Sequence, residues 1–276
     1  MATGDIDQQD SLLALELERY KLLLEEEEDE ENDPSSMSLV DHLEELRWRV
    51  FKTLIAIVIG AIIAFIFRDQ IMHFLELPLP KEADALGRGK LVVTGVAEGF
   101  TVFLLLSVAV GIVLALPVLL YQVWAFVAPG LYEHEKKHAI PFIFIGIVLF
   151  LIGISLGYVV LHYPLEFLIS FASSSFTELV TANSYFTFVA FFILAFGLIF
   201  ELPLVLTFMA QVGLISADTL VKKRAAAHIG MWIAATFITP GADIYSPIII
   251  GAAMSFLYEL TIIFIRFTKR KEAQAA

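Results

Sequence analysis

Glu201 stands inside an apolar run, with FTFVAFFILAFGLIF before it and LPLVLTFMA after it. The stretch from Phe186 to Ala210 is long enough to cross a bilayer, for which about 20 residues suffice. The acid therefore falls near the hydrocarbon midplane. An ionisable group there costs at least about 2.5 kcal/mol, so such residues face a protein interior or a wet cavity and mark function. Pro203 follows two positions later and removes one backbone N–H, leaving the carbonyl of Ile199 without its usual helical partner. Two chemistries fit such a spot. Glu201 is either a titrating carboxyl, as in a proton-coupled secondary transporter, or a polar contact for another transmembrane segment. It carries its proton or is satisfied by other helices or water.

A second constellation is His134, Glu135 and His138, which spell HEKKH and match the H-E-x-x-H pattern of zinc proteases. Histidines at i and i+4 on a helix can share a metal while the glutamate acts as base. Two lysines inside the motif would repel a dication, and His42, His73, His162 and His228 offer no sequence-adjacent third ligand. We therefore expect no metal site and no catalytic residue. The same loop places Glu133 and Glu135 beside those lysines, while DHLEELRWRVF presents Glu44 and Glu45 beside Arg47. Carboxylates at such a rim can accept paired guanidinium groups from a cationic ligand. Local pairing with Arg47, Lys136 or Lys137 is the simpler alternative. Glu259 is a second acid within a span, with Arg266 seven residues on along the same face, and reads as structural. In ITPGADIYSP the Pro-Gly pair reverses the chain and Asp243 can cap the helix that follows.

The elements that must position these residues are membrane helices. The chain is 58% hydrophobic with a mean hydropathy of +0.80, far beyond a soluble domain. Its net charge of −12 is concentrated in residues 1–45, which hold 16 acids against two bases; from Leu46 onward 16 bases face 14 acids. There is no cysteine, so disulfides and thiolate metal sites are excluded. The N-terminus lacks the order of a cleavable signal peptide. Residues 1–36 read as an acidic, solvated cytoplasmic tail, 37–268 as the membrane domain, and 269–276 as a basic C-terminal tail. Spans are expected at about 50–67, 100–121, 139–162, 186–213, 225–239 and 247–265. Only 15 residues separate Arg224 from Pro240, roughly 22 Å of helix. The fifth span is therefore short and the sixth little longer, which implies a local dip in the bilayer. From Leu46 onward, twelve Lys/Arg fall on the side of the N-terminus and four on the other, which places both termini in the cytoplasm. Prolines 117, 129, 141, 164, 203, 240 and 247 bend or bound the helices. The expected fold is an all-α integral membrane protein, a curved bundle of six transmembrane helices with the last two short. No internal repeat supports an inverted-repeat transporter, and no nucleotide-binding loop or nucleic-acid signature is present.

Five segments together resemble the TatC family, the multi-span receptor subunit of the twin-arginine protein translocase. They are HLEELRWRV, YQVWAFVAPGLYEHEKK, FGLIFELPLV, KKRAAA and TPGAD, in that order over about 37–270. The resemblance implies a cell-membrane protein that is not an enzyme and carries no cofactor. It implies binding of twin-arginine signal peptides of folded cargo at the cytoplasmic face. It further implies assembly with TatA-type and TatB-type single-span proteins, self-association in a multi-subunit complex, and transport driven by the proton gradient. Carried over by position, Glu45 and Glu135 would contact the arginines, with Arg47 and Phe126 completing that surface. Glu201, Thr239 and Asp243 would contact partner helices, and Pro78 would be a structurally sensitive proline of the first outer loop. Pro247 stands where many members have glutamine, and Leu105 where many have lysine.

Overall fold

The computed structural model describes residues 19–21, 39–80, 91–127, 139–173, 179–239 and 243–275. Ten helices carry almost all of them: α1 (Leu39–Ile66), α2 (Arg68–Glu76), α3 (Glu98–Val127), α4 (Ala139–Val160), α5 (His162–Ser173), α6 (Ala182–Phe200), α7 (Leu202–Gln211), α8 (Ala217–Lys222), α9 (Arg224–Ile238) and α10 (Tyr245–Ala275). Among the described residues there is no strand, only an isolated bridge between Val92 and Thr181. Among the described residues five stretches are long and apolar enough to cross a membrane: His42–Ile66, Glu98–Val127, Ile140–Phe171, Ala182–Gln211 and Tyr245–Thr268. With its 15 residues, α9 is the short one. The protein is thus an all-α, multi-pass membrane protein.

Helix boundaries depart from the sequence expectations in three places. DHLEELRWRVF is continuous with the helix of the first span, since α1 is one helix from Leu39. The third apolar run turns at Leu161 and continues as α5, with Pro164 in the first turn of that second segment. The last helix runs from Tyr245 through the basic residues to Ala275, so it is longer than the expected 247–265.

The chain divides into two compact units, Met1–Arg49 and Val50–Ala276. In the second unit α6 is the central helix. Twelve of its residues are buried, including Phe186, Phe192 and Phe196, and they form the main core with residues of α3, α5, α9 and α10. A helix apolar all round is one that is enclosed all round, whereas in α1 the aliphatic side chains from Leu54 to Ile66 are mostly exposed. Small residues bring the helices close, as expected where lipid leaves packing as the main attraction. A Cβ on Gly153 of α4 would lie 2.6 Å from the carbonyl oxygen of Phe196 on α6. One on Gly60 of α1 would lie 2.7 Å from that of Gly111 on α3.

One end of the bundle is closed by α2. Tyr185 donates to the carbonyl of Leu75 at 2.7 Å, and Tyr158 donates to that of Phe74 at 2.8 Å while stacking on its ring. Glu98, at the start of α3, gathers the adjoining loop. Its Oε2 accepts from the N–H groups of Thr94 and Gly95 and the Thr94 hydroxyl, and its Oε1 accepts from Asn183 N–H at the start of α6.

Candidate functional site

Glu201 is the single residue at which the fourth span breaks into α6 and α7. Pro203, in the first turn of α7, cannot donate to the preceding turn, and the chain answers by tightening. The N–H of Glu201 bonds to Leu198 at 3.1 Å, and its carbonyl accepts from Val205. The Glu201 side chain is 8% exposed, and neither carboxyl oxygen has a hydrogen-bond partner among the described residues. Its neighbour is α4, where a Cβ on Gly146 would lie 3.3 Å from Oε2 and 2.7 Å from Leu120 Cδ1. A glycine across from the carboxyl leaves room for it between α3, α4 and α7. The acid is thus held in an apolar setting at mid-span, where a hydrogen-bonding group from another helix would gain a partner.

In the first unit, Glu45 is bound by Arg49, one helical turn along α1. Nε donates to Oε1 at 2.9 Å and Nη2 donates to the same oxygen. Residues at i and i+4 share a helix face, whereas i and i+2 do not. This is why Arg49, and not Arg47 among the alternatives the sequence offered, forms the local pair, while Arg47 and Glu44 stand exposed. Glu45 Oε2 is buried and accepts no hydrogen bond among the described residues, with His42 Nδ1 3.8 Å away. The carboxylate therefore already holds one guanidinium in a forked contact on Oε1 and keeps its other oxygen in reserve. Phe126, half-buried, lies at the end of α3 in the second unit. Glu135 and the whole HEKKH motif lie outside the described residues. Among those described, no group of three His, Cys, Asp or Glu could hold a metal.

The turn residues are engaged in their own helices. Thr239 Oγ1 donates to Ala235 at 2.7 Å, closing α9. Asp243 Oδ1 accepts from Ser246 N–H at 2.6 Å, the expected cap on α10. Both side chains are buried. Asp243 Oδ2 and Ser246 Oγ have no hydrogen-bond partner among the described residues. Pro78 is half-buried in the turn after α2, where Leu79 N–H bonds back to Glu76.

Glu259 does not pair with Arg266. Seven residues of helix separate the two by about 10 Å, and the partners come from α9 instead. Arg224 Nε lies 2.8 Å and His228 Nε2 3.0 Å from Glu259 Oε1, while His228 Nδ1 is 3.0 Å from Ser255 Oγ. Arg266 lies 3.9 Å from Asp218 of α8. His228 was invisible as a partner in the sequence because its contacts are 27 and 31 positions away.

A family model described as Sec-independent protein translocase protein (TatC) matches residues 41–252. The chain belongs to the TatC family. It is 38% identical over 248 residues to the Sec-independent protein translocase protein TatC of Desulforapulum autotrophicum, covering 89% of each chain. It is 34% identical over 234 residues to that of Escherichia coli, covering 83% of this chain and 88% of the relative. The crystal structure of a twin-arginine translocase receptor, TatC, superimposes with a TM-score of 0.71 at 32% identity, covering 83% of this chain and 99% of that one. The TatC match includes Glu45, Arg47, Glu201, Thr239 and Asp243, and leaves the acidic tail and Glu259 outside. The chain is therefore a multi-pass component of a protein translocase rather than an enzyme.

Proposed function

We propose that this protein is the signal-peptide receptor of a twin-arginine translocase, recognising the paired arginines of folded cargo at the cytoplasmic face of the cell membrane. The observation that carries the reading is Glu45 in a TatC chain. Its carboxylate already accommodates a guanidinium and retains a buried second oxygen. By the family resemblance, Glu135, Arg47 and Phe126 would also take part in that recognition. With both termini cytoplasmic, these residues share the basic side of the membrane. Charge-assisted hydrogen bonds to such acids contribute about 1.5–3 kcal/mol each, enough for micromolar recognition when joined to apolar signal-peptide contacts.

In this reading Glu201, Thr239 and Asp243 are contacts for the helices of TatA-type and TatB-type single-span partners, in a complex with several copies of this chain. The proton gradient drives transport. Affinity purification of the full chain from native membranes tests the proposal. A twin-arginine precursor should be retained together with small single-span proteins, and the same precursor with both arginines changed to lysine should be lost. Equal retention of both precursors would overturn it.

A further inference from the structure

Near the start of α1 the helix leaves Trp48 54% exposed, on the same side as Glu45. Successive helical residues turn by about 100°. Trp48 therefore stands between two acids, with Glu44 about 40° to one side and Glu45 about 60° to the other. A helical side chain leans toward the N-terminus and covers the turn before its own Cα. For Trp48 that turn carries Glu44 and Glu45.

The two flanks of Glu45 differ. Arg49 and His42 lie on the side away from Trp48, about 40° and 60° round the helix. There Arg49 holds Oε1, and His42 Nδ1 stands 3.8 Å from Oε2. On the other flank Glu44 and Trp48 are both exposed, while the Glu45 side chain is 20% exposed. A second cation reaching Glu45 on α1 has to come from the Trp48 flank.

That approach suits one kind of cation. A guanidinium is planar, so its edge can donate to a carboxylate while its face stacks on an aromatic ring. Tryptophan offers a cation the strongest ring face. An ammonium is a compact, strongly hydrated point charge with no face to stack. Carboxylates alone attract both cations, whereas a carboxylate beside an indole distinguishes them. A tryptophan that served only to anchor the helix at the membrane–water interface would not.

We propose that Trp48 is a specificity-determining residue of the arginine site. The guanidinium that Glu45 takes by its edge lies with its face on the Trp48 indole, and Glu44 adds negative charge alongside. The inference rests on the receptor reading and gives it a reason for preferring arginine to lysine.

Dissociation constants for a twin-arginine peptide and for the same peptide with paired lysines test it. They are measured by fluorescence anisotropy on the full chain in detergent, with Trp48→Leu, Trp48→Tyr and Glu45→Gln, each eluting as a single folded species. Trp48→Leu keeps an apolar side chain and removes the ring. It should weaken the arginine peptide about two- to fivefold and leave the lysine peptide unchanged. Trp48→Tyr keeps an aromatic face and should retain the preference for arginine to within about twofold. Equal weakening of both peptides by Trp48→Leu, as a membrane anchor or a general apolar contact would give, overturns the proposal and leaves Glu45 as the receptor carboxylate. So does a Trp48→Leu protein that binds both peptides as before. An arginine peptide bound as tightly by Glu45→Gln as by the unaltered chain would instead overturn the receptor reading, and this proposal with it.

Discussion

Glu45 and Arg49 hold each other across one turn of α1, Nε to Oε1 at 2.9 Å, while Arg47, two residues from the acid, stands exposed on another face. A receptor carboxylate that already binds an arginine of its own chain must share it or exchange it for an incoming one. Ion pairs at i,i+4 on a helix contribute about 0.2–0.5 kcal/mol, less than the roughly 1.5–3 kcal/mol of a hydrogen bond to a charged group. Arg49→Gln should therefore leave the fold intact and raise the affinity for a twin-arginine peptide about twofold, measured by fluorescence anisotropy in detergent. A tenfold loss would show that Arg49 orients Glu45 rather than competing for it.

The role of Glu201 separates by substitution. Glu201→Gln keeps a hydrogen-bonding group of the same shape and removes only the charge, so crosslinking to single-span partners should stay within about twofold. Glu201→Leu removes the polar contact, and interhelical hydrogen bonds in membranes contribute about 0.6–1.7 kcal/mol. Its partner crosslinking should fall about three- to twentyfold. If the Gln variant loses partner binding completely, the carboxyl acts by titrating.

Two glycines of α4 should respond differently to the same methyl group. At Gly153 it would meet the carbonyl oxygen of Phe196 at 2.6 Å, whereas at Gly146 the closest atoms are the tips of Leu120 and Leu204. Leucine tips can turn and helix backbone cannot. Gly153→Ala should destabilise by about 1–3 kcal/mol, with Gly146→Ala clearly milder, in thermal denaturation of purified protein. Equal effects would contradict the close crossing of α4 and α6.

Glu259 gathers Arg224 and His228 onto one oxygen and so ties α9 to α10. Glu259→Ala should cost about 1–2 kcal/mol and should exceed Arg266→Ala, whose contact with Asp218 is long and exposed. The comparison is read from midpoints of thermal unfolding. A larger loss at Arg266 would contradict this assignment.

What the sequence made legible was whatever a run or a local spacing can carry. An acid inside an apolar stretch marked Glu201, with Pro203 beside it to break the helix there. A Pro-Gly turn followed by an acid marked the cap at Asp243. The spacing of Glu45 and Arg49 held the same kind of information, and the i,i+4 rule would have found that pair where adjacency pointed to Arg47. The partners of Glu259 were beyond reach, because α9 and α10 meet only once the turn between them has folded.

Receipt of a signal-peptide arginine by Glu45 is tested most directly by the dissociation constant of a twin-arginine peptide for the full chain and for Glu45→Gln, alongside the same peptide with paired lysines. Glu45→Gln should bind the arginine peptide about tenfold or more weakly, with little further loss on the lysine peptide. Unchanged affinity for the arginine peptide in a folded Glu45→Gln protein would contradict it.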